Sequence, residues 1–176
     1  YGRCGAGLEK HNCVFFDKEW YKFKMVRNPY DRVVSGFLFS MRSPWISDED
    51  LKKTIPGFTK RTALSFEQFL LYIEHAVEKT GHIDDHVRGQ HNDWEWEYYL
   101  EKKPSLYNKI VKLENIKEDL NVVSKKTGHV YGLDVDKLNY YAKKSDESGE
   151  FVGDKAYADI EHKIPKSYKN FYTEAS

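Results

Sequence analysis

The sequence predicts an α/β domain with a parallel sheet flanked by helices. Two short strand patterns, at residues 20–26 and 109–113, are each followed by a helical pattern, and another helical pattern lies between the pairs. Parallel strands need a long crossover that is usually helical, so this order favours a parallel sheet. The chain has 176 residues, which fits a single domain over residues 1–176.

The first strand leads into a helix through an Asn-Pro turn, with Arg27 as the last strand residue. Asn28 is a good N-cap, Pro29 suits the first helical position, and Asp31 falls near the positive end of the helix dipole. The following apolar residues keep helical spacing: Val33, Val34, Phe37, Leu38 and Met41. These features predict a strand, a turn and a helix in succession.

The middle of the chain predicts a long loop and then a strongly marked helix. Residues 42–61 contain two prolines, a glycine and a Ser/Asp/Glu run, which is typical of a long surface excursion. Ser65 and Gln68 have capping-box spacing, and Gly81 supplies a helix stop. The helix between them has its apolar residues at helical spacing: Phe66, Phe69, Leu70, Ile73 and Val77.

The C-terminal half predicts one more long helix and two short ones. The second strand is followed by a helix over residues 116–126, which Gly128 closes. Short helices are predicted at residues 157–162 and 168–173, after a polar stretch that begins beyond Tyr141.

Charge and composition exclude several classes of protein. Lys and Arg together number 28, as do Asp and Glu, so the formal net charge is zero. A nucleic-acid coat or a polybasic membrane anchor needs a large positive excess, so neither partner is expected. No apolar run approaches the roughly 20 residues of a transmembrane helix, so no membrane span is expected in this chain. Cys4 and Cys13 are too few for a disulfide scaffold and are expected to be reduced thiols.

The residues around the first turn have the chemistry of an anion site. Ligands of α/β domains bind beyond the carboxyl ends of the strands, where Arg27 is expected to lie. Asp31 and Ser35 share one face of the following helix. A guanidinium fork and a hydroxyl that converge suit a phosphate dianion. The spacing fits equally well an Arg27–Asp31 ion pair beside a Ser35 that only packs.

The segment VRNPYDRVVSGF, residues 26–37, resembles the 3′-phosphate-binding segment of sulfotransferases. The likeness is to the membrane-type carbohydrate sulfotransferases and their bacterial and viral relatives. In that family a strand ends in Arg, an Asn/Asp-Pro turn follows, and a Ser stands eight residues after the Arg. The resemblance implies that Arg27 and Ser35 hold the 3′-phosphate of 3′-phosphoadenosine 5′-phosphosulfate (PAPS). Arg32 either adds positive potential there or pairs with a carboxylate.

Other segments are similar to the family in the same order. Residues 65–74 look like its helix before the acceptor side, and residues 110–123 like the strand and helix that close its sheet, with Glu114 included. Residues 86–90 are similar to a His-x-x-Pro-Gln segment, with Gly89 in place of the usual Pro. Residues 164–176 look like the start of its C-terminal helix. The resemblance covers most of the chain.

The resemblance implies both a fold and a function. The fold would be the three-layer, P-loop nucleotide-kinase-like sulfotransferase fold. The activity would be transfer of a sulfuryl group from PAPS to a hydroxyl, most often of a carbohydrate, without a metal. The expectation for localisation is a soluble domain, in the Golgi lumen if the protein is eukaryotic and in the cytoplasm if it is bacterial or viral, and the sequence does not name the compartment.

Two departures from the family concern the ends of the chain. The family's Lys-bearing loop, which grips the 5′-phosphosulfate, normally lies many tens of residues before the Arg-Asn-Pro turn, but only 26 residues precede Arg27. Residues 1–7 are glycine-rich, yet they lack Lys and Ser/Thr in the required places. Family members also continue beyond the position of Ser176. The expectation is a chain without part of the domain at both ends, and the alternative is a divergent minimal enzyme.

Two histidines are candidates for the base that takes the acceptor proton. By the resemblance, His86 would line the acceptor side, and His11 lies where some family members carry their basic histidine. A different hypothesis is a metal-dependent hydrolase that uses the cluster His82, Asp84, Asp85, His86 and His91. A third is a non-catalytic nucleotide-binding module that kept only the 3′-phosphate site.

Overall fold

The computed structural model describes residues 20–43, 46–81, 87–88, 90, 106–129, 149–165 and 167–173. The chain divides into two compact units. One comprises Tyr1–Val26 and Gln90–Ala142, and the other comprises Arg27–Gly89 and Lys143–Ser176.

The first unit contains a two-stranded parallel sheet among its described residues. Strand β1 is Phe23–Val26 and strand β2 is Lys109–Lys112, with Phe23 opposite Lys109 and Val26 opposite Lys112. The parallel pairing confirms the prediction, although β1 begins three residues later than the pattern indicated.

One helix covers this sheet. A 3₁₀ turn over Leu113–Asn115 leads into the predicted helix, Ile116–Thr127, which ends at Gly128 with a left-handed φ of 71°. Apolar side chains from β2 and this helix form a separate core: Val111, Ile116, Leu120 and Val123.

The second unit begins with helix α1, Pro29–Arg42, as predicted. The Asn28 side chain caps it by accepting hydrogen bonds from the amides of Tyr30 (2.9 Å) and Asp31 (3.5 Å). The apolar face of α1 carries Phe37, which is fully buried and in contact with four other rings: Phe66, Phe69, Tyr157 and Phe171.

The prediction of a surface excursion over residues 42–61 is wrong. Helix α2, Asp48–Thr54, lies within it, capped by the Ser47 hydroxyl, which accepts from the Asp50 amide. The side chains of Ile46, Leu51 and Ile55 are buried in the core of this unit. The helix was overlooked because its seven residues bury only Leu51, too few to produce a helical period.

Helix α3, Phe66–Thr80, confirms the predicted cap and stop. Ser65 and Gln68 form a reciprocal capping box, and Gly81 adopts a left-handed φ of 63°. Phe66 and Phe69 are fully buried as predicted, but Val77 at the far end is exposed. The apolar stripe therefore extends beyond the part of the helix that the core covers. A short 3₁₀ turn, Arg61–Ala63, precedes this helix.

The helix Ile116–Thr127 of the first unit is named α4. The first of the two predicted short helices is present as α5, Tyr157–Ile160. The second predicted short helix is a 3₁₀ turn, Tyr168–Phe171. Backbone hydrogen bonds join these late segments to the rest of the second unit, from Tyr157 N to Leu64 O (2.9 Å) and from Val152 N to Asn170 O (2.7 Å).

The described residues thus form a mixed structure of helices and a small parallel sheet, which confirms the α/β class. Among them, no helix combines the length and the apolar character needed to cross a membrane.

Candidate functional site

The start of α1 positions the predicted anion site. Arg27 directly follows β1 in the chain, and Asn28 and Pro29 then begin the helix. Because the helix repeats every 3.6 residues, Asp31 and Ser35 come to one face, one and two turns after Arg27.

The Arg27 guanidinium contacts both of these side chains. Its Nε donates to Asp31 Oδ2 at 2.6 Å, and its Nη2 lies 2.5 Å from the same oxygen. Its Nη2 also donates to Ser35 Oγ at 2.7 Å. The Arg27 and Asp31 side chains are 25% and 12% exposed, so the ion pair is shielded from water yet reachable. The structure therefore shows the predicted Arg27–Asp31 pair and, in addition, an Arg27–Ser35 contact.

This geometry suits an anion that arrives at Arg27 and Ser35. The carboxylate of Asp31 holds the planar guanidinium in one orientation, which lowers the entropy lost when a ligand binds. A hydroxyl that accepts a hydrogen bond can still donate its own hydrogen, so Ser35 can act as a donor to a phosphate oxygen. Arg27 lies just before the first turn of α1, where the helix dipole favours negative charge.

Arg32 points to a different partner. Its Nη1 donates to the backbone carbonyl of Arg88 at 2.7 Å. This bond ties α1 to a segment 56 residues further along the chain. The role predicted for Arg32 beside the anion site stays a prediction.

Sequence reasoning missed an aromatic group beside the same turn. Tyr172 Oη donates to the backbone carbonyl of Tyr30 at 3.2 Å, and the Tyr30 ring stacks with that of Tyr168 at 6.1 Å between centroids. Tyr30 and Tyr172 are 142 residues apart. No local period or spacing could have paired them, and the only available signal was the high tyrosine content of the C-terminal segment.

Several predicted residues lie outside the described part of the chain. These are both candidate bases, His86 and His11, the remaining members of the proposed metal cluster, and the glycine-rich residues 1–7. Within the residues that the structure does describe, no group of three or more His, Cys, Asp or Glu side chains is arranged to hold a metal ion.

The fold and the site define a class of protein: an α/β protein with an arginine–hydroxyl pair suited to an anion. The model of the sulfotransferase family matches residues 10–172, which include Arg27, Arg32 and Ser35. The chain therefore belongs to the sulfotransferase family, and the resemblance of its sequence to that family is confirmed. Family membership supports a transferase. Searches of curated proteins and of solved structures gave no significant match.

Proposed function

We propose that this protein is a sulfotransferase that moves a sulfuryl group from PAPS to a hydroxyl, and that the acceptor is a carbohydrate. The observation that carries the proposal is the Arg27 guanidinium, held by Asp31 and in contact with Ser35 Oγ at 2.7 Å, inside the segment that matches the family. The donor and the carbohydrate acceptor come from the family resemblance.

In this proposal Arg27 and Ser35 bind the 3′-phosphate of the donor. The guanidinium offers a planar fork of donors that matches two phosphate oxygens, and the Ser35 hydroxyl supplies one more donor. Charge-assisted hydrogen bonds of this kind are about twice as strong as neutral ones. The partial burial of Arg27 strengthens them further, because water screens the charges less.

We further propose one sulfotransferase-like domain over residues 1–176, with the three-layer, P-loop nucleotide-kinase-like fold of the family. The family match supports this, because it runs through residues of both compact units. The parallel pairing of β1 and β2, each followed by a helix, is the arrangement that such a fold requires.

The proposed reaction is a displacement at sulfur. The acceptor oxygen forms a bond to sulfur while the bond from sulfur to the 5′-phosphate oxygen breaks, and 3′-phosphoadenosine 5′-phosphate leaves with that electron pair. A histidine takes the proton of the acceptor hydroxyl. His86 is the first candidate for this base and His11 the second, and cationic groups absorb the charge on the leaving phosphate.

The donor assignment is tested by thermal unfolding with two nucleotides. A ligand at 100 times its dissociation constant adds about 2.7 kcal/mol to the free energy of unfolding. We expect 3′-phosphoadenosine 5′-phosphate to raise the melting temperature by several degrees for a chain of this size. Adenosine 5′-phosphate lacks the 3′-phosphate and should raise it far less at the same concentration. Equal shifts with both nucleotides would rule out a 3′-phosphate site at Arg27.

The base is tested by replacing single histidines. His86→Ala should leave the affinity for 3′-phosphoadenosine 5′-phosphate unchanged and lower turnover by about 10²–10⁴-fold. His162→Ala is the matched control, because the His162 side chain is 92% exposed. Turnover is measured with labelled PAPS and a carbohydrate acceptor, in a protein that carries the complete Lys-bearing donor loop of the family. Full turnover in His86→Ala would move the base elsewhere, and His11→Ala would be the next variant.

A further inference from the structure

The segment over residues 167–173 contacts the first turn of α1, which carries the anion site. The Tyr172 hydroxyl donates to Tyr30 O at 3.2 Å, and the two rings meet edge to face at 5.2 Å between centroids. On the same side, the Tyr168 ring stacks on Tyr30 at an interplanar angle of 13°. Two tyrosines of one short segment thus hold the residue that immediately precedes Asp31.

This segment is itself anchored in the core. Phe171 is 1% exposed and packs against Phe37 and Phe66. The Tyr172 ring also lies edge to face on Phe66, at 5.1 Å. A side chain with rings on two sides has little freedom to change rotamer, so the Tyr172 hydroxyl is a fixed donor.

The environment keeps that hydroxyl protonated. Burial is the main cause that raises the pKa of Tyr172 well above its ordinary value, and the proximity of Tyr30, Asp31 and Tyr168 raises it further. The group therefore remains a donor throughout the neutral range.

We infer that Tyr172 is a positioning residue for nucleotide recognition, because it fixes the first turn of α1 and thereby the Asp31 carboxylate that aims Arg27. This inference rests on the proposed function. Helix ends fray, and their first amides lack partners within the helix. The Asn28 side chain accepts from the amides of Tyr30 and Asp31 in this turn, and the Tyr172 hydroxyl donates to the carbonyl of Tyr30. Binding groups must be kept within about half an ångström of their productive geometry to be effective.

The test is Tyr172→Phe, which removes the hydroxyl and keeps the ring contacts. The affinities for 3′-phosphoadenosine 5′-phosphate and for adenosine 5′-phosphate are measured by titration calorimetry. We expect the affinity for 3′-phosphoadenosine 5′-phosphate to weaken about three- to tenfold, which corresponds to the loss of one hydrogen bond. The affinity for adenosine 5′-phosphate should change little. The ratio of the two affinities is the decisive readout, since general destabilisation would not lower selectivity for the 3′-phosphate.

Tyr157→Phe is the matched control. Tyr157 is a core tyrosine of the same unit, and its hydroxyl accepts from Arg42 Nε at 3.5 Å, at the opposite end of α1. This variant should lose comparable stability and keep the parent ratio of affinities. An unchanged ratio in Tyr172→Phe, or an equal loss in both variants, would overturn the inference. A parent protein that does not distinguish the two nucleotides would instead overturn the proposed function, and the inference with it.

A measurement on the unaltered protein keeps the inference testable if Tyr172→Phe does not fold. Coupling is reciprocal, so 3′-phosphoadenosine 5′-phosphate bound at Arg27 should slow amide hydrogen exchange in residues 167–173 as well as in the first turn of α1. Exchange in α2 should stay the same. Protection limited to the first turn of α1 would contradict the inference.

Discussion

Arg27 is the residue on which the proposed function depends. The sequence left two roles open for it, an ion pair with Asp31 or a phosphate contact shared with Ser35. The structure shows the guanidinium in contact with both side chains, so the ion pair with Asp31 is compatible with the proposed phosphate contact.

Two substitutions of Arg27 should show how much of the nucleotide affinity comes from its positive charge and how much from the planar shape of its guanidinium. Arg27→Ala removes a charge-assisted contact worth roughly 1.5–3 kcal/mol, which lowers the affinity for 3′-phosphoadenosine 5′-phosphate about 10- to 150-fold. Arg27→Lys should recover only part of this loss, because a point charge cannot reproduce the planar fork. Titration calorimetry measures both affinities.

The matched control is Arg42→Ala, at the last residue of the same helix. It removes the same charge from the chain and should leave nucleotide affinity nearly unchanged. If Arg27→Ala binds the nucleotide as tightly as the parent does, Arg27 is only a structural residue.

At the scale of single helices, the sequence predicts the caps and stops that depend on nearby residues, but it does not predict helix α2. The caps at Asn28 and Ser65 and the stop at Gly81 were predicted because each depends on atoms within a few residues. Helix α2 was missed because its burial depends on distant partners. Arg61 illustrates this: its guanidinium contacts the carbonyls of Ser40 and Ile46 and the carboxylate of Asp48, and so joins three segments.

Where β2 packs against α4, the carboxylate of Asp119 contributes to the stability of the fold in a way that depends on pH. Asp119 Oδ1 pairs with Lys109 Nζ at 2.5 Å, and its Oδ2 accepts from the Lys112 amide at 2.8 Å. Burial by itself raises the pKa of Asp119, but the hydrogen bonds from Lys109 and Lys112 and their charges outweigh it. The pKa is therefore lower than in the unfolded chain.

Asp119→Asn should therefore destabilise the protein most at neutral pH. A lowered pKa contributes stability that is present above the unfolded value of about 3.9 and disappears as pH falls toward the folded value. Denaturant unfolding at pH 7, 5 and 3 should show the difference between parent and variant shrinking below pH 4. A difference that is constant with pH would contradict this account.

At the scale of the whole molecule, the buried apolar side chains of the described residues form two cores. One surrounds Phe37 in the second compact unit, and the other surrounds Val111 in the first. In the core around Phe37, helical periodicity selected Val34, Phe37, Phe66 and Phe69, whereas Ile46, Leu51 and Ile55 come from the stretch that was predicted to be a surface excursion.

Phe37→Ala should be among the most damaging single changes. Phe37 is 0% exposed and contacts four other rings, so its removal leaves a cavity that costs about 3–5 kcal/mol of unfolding free energy. Denaturant unfolding followed by circular dichroism measures the loss. Phe39→Ala on the same helix is the control, since Phe39 is 43% exposed, and its loss should be much smaller. Equal losses would show that the ring cluster is not the centre of this core.

The sequence alone indicated the α/β class, the positions of the main helices and the resemblance to the family, and it placed Arg27, Asp31 and Ser35 close enough to interact. The helices follow from the helical period, caps and turn residues, which act on the backbone within about twelve residues, and the class and the family follow from the order of segments along the chain. Only the tertiary structure decided that α2 is part of a core, that Arg32 binds the carbonyl of Arg88, and that Tyr172 holds the first turn of α1. Such contacts join residues far apart in the chain, and their partners are set by how the helices pack.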